Sequence, residues 1–281
     1  MFADPTLPPL PASTRLPVLF VGHGSPMNVL EKNAWHLTWR DVGEALLQRY
    51  PRPQCILCIS AHWLTGGGWA LTEAARPATL HDFHGFPPEL YQCDYPAPGA
   101  PELARTLAAA LTSPATGKPL NVDPGRGLDH GAWGVLQPMF PQADIPVLQL
   151  SMDITRPAVD HWALGRQLAA LREQGVLIVA SGNMVHNLST LRQGTGINAT
   201  YRWALQFDDR VASLILAGQL EQLAEFDRWG DITEVCHPTH EHFLPLLYAA
   251  AAVQDGDVPQ FFNAGFQMAS IGMRSVQWDA H

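Results

Sequence analysis

Two stretches of this chain, CILCIS at residues 55–60 and VLIVA at 176–180, are strand-length and contain nothing more polar than a serine. A strand with one wet face alternates apolar and polar residues. An unbroken apolar run needs cover on both faces, which a parallel sheet sandwiched between helices supplies. The strands predicted on this basis are Leu16 to Val21, Cys55 to Ala61, Trp69 to Thr72, Ile145 to Leu150 and Val176 to Ala180. Helical patterns fall between them, over Ala34 to Arg49, Pro101 to Leu111, Gly131 to Met139 and Ala158 to Gln174. The alternation predicts an α/β fold, a mostly parallel central sheet flanked by helices. Two later helices are expected, Tyr201 to Gly218 and Phe243 to Val253, and the terminal FFNAGFQMASIGMRSVQW is expected to return to the sheet as one or two strands. Residues 16–281 are expected to form one catalytic domain, and the proline-rich residues 1–15 an extended arm. Arg76 to Pro101 interrupts the alternation with Pro, Gly and aromatics, and a loop this long inside a compact domain is usually a functional one.

Composition removes several classes of function. Hydrophobic residues at 47% and charged residues at 15% describe a globular chain, and a net charge of −9 without any Lys/Arg cluster argues against nucleic acid as a partner. No window approaches the roughly 20 apolar residues of a membrane span. The first residues lack the cationic start and apolar run of a secretory leader, so a cytoplasmic location is expected. Four cysteines fit a reducing compartment. Cys55 and Cys58 make a CxxC, but in a strand residues three apart face opposite ways, so the two thiols are expected to diverge as small buried hydrophobes.

Three of the apolar runs deliver a histidine near their carboxyl ends. VLFV leads to Gly22-His23-Gly24, CILCIS to Ala61-His62-Trp63, and VLIVA to Ser181-Gly182-Asn183-Met184-Val185-His186. Ligands of open α/β sheets bind outside the carboxyl ends of the strands, and neutral imidazole is the commonest metal-ligating side chain. One strand-end histidine alone is more often a plain hydrogen-bonding residue; three in equivalent positions point to a shared metal site. The glycines beside His23 are expected to let the chain turn sharply and bulky ligands approach the ring. A fourth ligand candidate lies in CHPTHEHFLPLL, where His237, His240, Glu241 and His242 precede a helix; His242 and Glu241 adjoin its packed part and are preferred. In GLDHGAWGVL, Asp129 is placed to cap a helix, and His130 stands at its start, either as a neutral hydrogen-bond partner for substrate or as a helix-end histidine with no chemistry.

Other motifs carry less. GHGSP offers Ser25 as a nucleophile, but Pro26-Met27 breaks the G-x-S-x-G spacing of a nucleophile elbow. Neither a P-loop nor a strand-following G-x-G-x-x-G occurs. His81 and His84 in the long loop are expected to be lid or surface residues.

The motifs GHGSPMN, SAHW, DFHGFPPELYQ, YPAPGAPELA, GLDHGAWGVL, IPVLQLS, SGNMVHNL and EHFLPLL follow one another from about Pro17 to the C-terminus. In this the chain resembles the DODA-type extradiol aromatic ring-opening dioxygenases, of the class III extradiol superfamily. The resemblance implies a non-haem metal held by His23, His62 and His242, with His186 beside it as acid/base or, with zinc, as a fourth ligand. It implies Fe(II) for dioxygenase activity, zinc as the alternative occupant, and a DOPA-like catechol and O2 as small-molecule partners. His130 would contact the substrate, with a hydrogen bond to it or to bound oxygen that stabilises developing negative charge, and Trp63 and Phe86 would wall the pocket. One departure is His240, where the family usually has proline, and more distant relatives keep Glu241 open as an alternative ligand. A zinc hydrolase on the same scaffold and a non-catalytic binding protein are the competing expectations. The oligomeric state is left open.

Overall fold

In a computed structural model that describes residues 12–192 and 199–280, the chain alternates between strands and helices, as its apolar runs predict. The strands are β1 (Val18–Gly22), β2 (Cys55–Thr65), β3 (Ala70–Thr72), β4 (Asn121–Asp123), β5 (Val147–Asp153), β6 (Val176–Gly182), β7 (Val258–Phe262), β8 (Phe266–Gln267), β9 (Ile271–Gly272) and β10 (Ser275–Asp279). The α-helices are α1 (Ala34–Arg49), α2 (Pro101–Ala110), α3 (His130–Met139), α4 (Ala158–Leu168), α5 (Arg202–Leu216), α6 (Asp231–Cys236) and α7 (Leu244–Ala251). Residues 1–11 of the expected arm lie outside the described residues.

Eight strands form one sheet in the order β4, β3, β5, β2, β6, β1, β10, β7. Its centre is parallel: Phe20 sits beside Ala180, Leu57 beside Ile178, and Ile56 beside Val147. The flanks are mixed, since β3 meets β5, β10 meets β1 and β7 meets β10 in antiparallel fashion. The C-terminal segment thus returns as two sheet strands, with the small β8–β9 hairpin between them.

The sheet divides the core in two. Phe20, Leu57, Leu150 and Ile178 pack on one face with Leu107, Leu164, Phe207 and Leu247 of the helices. Leu19, Ile56 and Val179 pack on the other with Trp39, Leu46, Trp133 and Leu136 of α1 and α3. Each fully buried side chain of this size contributes about 1.5–3 kcal/mol over leaving it in water. Cys55 belongs to the first core and Cys58 to the second, and both thiols are free.

Local chemistry sets the helix ends. Asn33 caps α1 by accepting from the His36 amide, and Pro51 forces Tyr50 into an extended conformation that stops it. The pattern expected to run as helix to Gln174 leaves α geometry at Leu168 and continues as 3-10 turns over Ala169–Gln174, until Gly175 turns left-handed at φ 71°. The loop from Arg76 is docked: Phe83, Leu90 and Tyr95 sit in the second core, and the Tyr95 hydroxyl donates to the Phe140 carbonyl. Among the described residues no helix is long and apolar enough to cross a membrane.

Two buried histidines, His161 and His237, give the fold an acid sensitivity. The Trp69 indole donates to the Tyr248 hydroxyl at 2.7 Å, and the same hydroxyl meets His161 Nδ1, also at 2.7 Å. Burial pushes His161 down to about 4 and His237 to about 3, whereas both titrate near 6.5 when unfolded. Between those values the unfolded chain binds protons that the native state refuses, so this stability is complete above pH 6.5 and declines as pH falls toward 4. We expect the thermal midpoint to drop from pH 7 to pH 4.5, and calorimetry of His161→Gln to show a shallower slope, by about 1.4 kcal/mol per pH unit below 6.5.

Candidate metal centre and its cavity

Parallel register brings three strand ends to one edge, with Gly22 beside Gly182 and Ser60 beside Ser181. His23 follows β1 directly, and its amide donates to the Gly182 carbonyl at 3.0 Å. His62 lies inside β2, not beyond its end. Pairing of β2 with β6 stops at Ser60, its register against β5 shifts between Ile59 and Leu64, and such an irregularity re-aims the side chains within it. His242 stands two residues before α7, where its carbonyl accepts from the Asn183 amide at 2.8 Å. A Cβ on Gly182 would lie 2.2 Å from that carbonyl oxygen, so the missing side chain is what lets the 242 turn rest on the end of β6.

The glycines beside His23 answer to the protein itself and not to a ligand. Gly24 takes a left-handed φ of 59°, which makes the expected turn, but a Cβ there would strike Gln267 and Met273, and one on Gly22 would strike the Met273 backbone. The space is filled by the chain's own C-terminal segment.

His23, His62 and His242 each offer a nitrogen within 4.8 Å of the others. Their ring centroids are 5.1, 5.3 and 5.0 Å apart. The Ser181 hydroxyl donates to the Gly131 carbonyl and therefore accepts from His23 Nδ1, at 3.0 Å. His242 Nδ1 faces the Glu241 carboxylate at 3.2 Å, and Glu241 also accepts from the Thr239 hydroxyl. In both rings the outer nitrogen carries the hydrogen and Nε2 is left bare. His23 Nε2 and His62 Nε2 face each other at 3.3 Å, which requires a proton or a cation between them. Two nitrogens bound at about 2.0–2.1 Å to one tetrahedral ion would lie roughly 3.3 Å apart. The donor set fits a divalent metal.

Burial, reinforced by the neighbouring imidazoles, lowers His23 and His242 well below the ordinary histidine value. Burial and the nearby His130 bring His62 to about 3, and burial brings His186 to about 4. Near neutral pH these rings are uncharged, the form that ligates metals. His186 stacks flat on His242, with centroids 3.4 Å apart and planes 6° from parallel, and it also groups with Glu241 and His242 as possible ligands. Glu241, kept open as a ligand, meets the outer nitrogen of His242 and braces it.

Of the other candidates, His130 stays beside the cluster, where it groups with His62 and Asp82 as possible ligands, and the rest separate. His130 opens α3, behind Asp129, whose carboxylate caps the helix through the Ala132 amide and accepts from Ser60 and Gln149. Its ring centroid lies 3.9 Å from that of His62. Asp82 accepts from both the amide and Nδ1 of His130; burial would raise this carboxyl, but the bonds to His130 outweigh burial and hold it at about 2. His237 is buried against Phe207 and Phe243 and pairs with the Met184 carbonyl. His240 sets its ring against Phe226 and belongs to none of the ligand groups among the described residues. His81 bonds the Cys93 carbonyl between Tyr91 and Trp133, and His84 is exposed.

A cavity of about 500 Å³ opens over the cluster. Phe83, Phe86, Leu188, Leu191, Met268 and Ile271 wall it, and His23, His62, His130, His186 and His242 form its polar end. Trp63, expected to wall the pocket with Phe86, is not among the lining residues. Neighbouring strand side chains face opposite ways, so delivering His62 to the cavity turns Trp63 aside, buried beneath the Arg126 guanidinium. Asp82, Ser181 and the walls at Phe83, Leu188 and Ile271 were not singled out from the sequence. The signal for Ser181 was its place at the tip of β6, and for Asp82 its place in the DFHGF motif.

Residues 16–276 match the family described as the catalytic LigB subunit of aromatic ring-opening dioxygenase. The chain belongs to the LigB family. It is 47% identical over 272 residues to the Escherichia coli (strain K12) protein named 4,5-DOPA dioxygenase extradiol, covering 95% of this chain and 96% of that protein. A Beta vulgaris protein of the same name is 37% identical over 249 residues, 87% of this chain and 89% of its own. A crystal structure of an uncharacterized Escherichia coli K12 protein superposes with a TM-score of 0.78 at 40% identity, covering 94% of this chain and all of that one. The LigB match spans every strand of the parallel centre and each histidine of the cluster. Gly182→Ala is expected to destabilise the protein by roughly 1–3 kcal/mol through overpacking against the 242 turn, read as a lowered urea midpoint with an unchanged slope.

Proposed function

We propose that the cavity takes a DOPA-like catechol and that the chain cleaves its ring on the extradiol side with O2, at a metal held by His23, His62 and His242. One observation carries this reading: three neutral imidazoles, two of them braced from behind, meet at the polar end of an apolar cavity in a LigB-family chain. Iron(II) would supply the redox chemistry that lets O2 react with a closed-shell catechol, and zinc is the alternative occupant of the same nitrogens.

The chain's own residues do the rest. Phe83, Phe86, Leu188 and Ile271 fit a flat ring and keep bulk water from the reacting carbons. Three protein ligands leave room for both oxygens of a catechol and for O2. His186, neutral and at the cavity wall, takes a proton from a catechol hydroxyl: the O–H bond breaks, an N–H bond forms, and the electron pair stays on oxygen. It holds that proton for return later in the cycle. With zinc, His186 would serve instead as a fourth ligand. His130 contacts the substrate from the start of α3.

His62→Ala should lose the metal, whereas His186→Ala should retain it and lose most turnover. Elemental analysis of the two purified variants checks this, and a full metal complement in the first would remove His62 from the ligand set. Anaerobically iron-loaded protein given a panel of catechols should consume O2 and catechol in equal amounts. A hydrolase would consume no O2, and a binding protein would turn over neither.

A further inference from the structure

The carboxylate of Asp82 does an unusual thing for a residue in a loop: a single oxygen, Oδ1, meets both the backbone amide of His130 at 2.9 Å and the Nδ1 of the same residue at 3.0 Å. That amide belongs to the first turn of α3, where no intrahelical acceptor exists for it. The main-chain bond therefore fixes where Oδ1 stands, and Oδ1 in turn fixes the ring. A carboxylate accepts and does not donate, so Nδ1 carries the hydrogen, and in the neutral ring that leaves Nε2, across from it, bare. His130 lines the cavity together with Phe83, the residue after Asp82, whose ring meets the imidazole edge-on at 5.5 Å. A bare Nε2 accepts a hydrogen bond and cannot donate one to an oxygen gaining negative charge.

We propose that Asp82 is a positioning residue that holds His130 in its Nδ1–H tautomer, so that Nε2 receives a hydrogen bond from a substrate hydroxyl. This revises the donor role expected from the sequence, and it rests on the dioxygenase reading only for the identity of the hydroxyl. The same contact anchors Phe83, so one carboxylate sets both a polar contact and an aromatic wall of the cavity.

The tautomer can be read without turnover. Long-range nitrogen–proton spectra of 15N-histidine-labelled protein, zinc-loaded at pH 7.5, should show His130 with a protonated Nδ1 and an unprotonated Nε2, its signals assigned by their loss in His130→Gln. An Nε2–H in the wild-type spectrum, as the other tautomer or as an imidazolium, would overturn the proposal. Asp82→Asn keeps an acceptor oxygen and should keep the tautomer and most of kcat. Asp82→Ala should lose the single tautomer and lower kcat of the iron-loaded enzyme by roughly 10²-fold. An alanine variant that keeps the wild-type tautomer and rate would also overturn it. If the wild type turns over no catechol, the dioxygenase reading fails, and the spectra still decide the role of Asp82.

Discussion

Parallel pairing of β1, β6 and β2 is the constraint on which the rest depends. Because Gly22 is level with Gly182 and Ser60 with Ser181, residues far apart in the chain finish at one edge of the sheet. The pairing is stable because both faces are covered, and the unbroken apolar runs make that cover obligatory. Sliding β6 one residue along β1 would exchange the side chains it packs into the two cores and carry Ser181 and His186 away from the edge. Register for the core and register for the site are therefore one requirement.

Crowding several imidazoles into a dry edge is feasible only if they stay neutral. Burial is the main cause of the low values at His23, His62 and His242, and the rings reinforce one another, because a proton on one disfavours a proton on the next. Neutral rings still need orientation. Ser181 and Glu241 provide it from outside the cluster, each engaging an Nδ1 so that Nε2 is presented inward. Such outer contacts commonly decide metal affinity as much as the ligands do.

The strands of the parallel centre, their parallel pairing and the histidines near their ends were legible because each rests on local pattern, apolar runs of strand length and the side chains near their ends, whereas the short β4 was not read. Helix α1 was legible to both ends, since Asn33 and Pro51 are local signals. What escaped depends on residues distant in sequence. The continuation of β2 through His62 requires knowing where β6 and β5 stop pairing with it. The crowding of Gly22 and Gly24 by Met273 and Gln267 joins the first strand to the last, across some 250 residues. Trp63 was misplaced for a simpler reason, since strand alternation separates it from its neighbour His62. Asp82 was hidden inside a loop between two histidines that the structure leaves out of the cluster.

The site combines parts with different tolerance for change. Its nitrogens come from the end of β1, from β2 and from the turn before α7, with His23 and the 242 turn locked by backbone hydrogen bonds and by close packing at Gly182. Its walls come from elsewhere: Phe83 and Phe86 from the Arg76 loop, Leu188 and Leu191 from the segment after β6, Met268 and Ile271 from the β8–β9 hairpin. Replacing a wall residue alters the shape offered to a substituent on the ring without moving any nitrogen. Replacing a strand-end residue alters the placement of the nitrogens and the sheet together. Substrate range within this architecture is thus free to vary through three peripheral segments, while the chemistry stays tied to the register of the central strands.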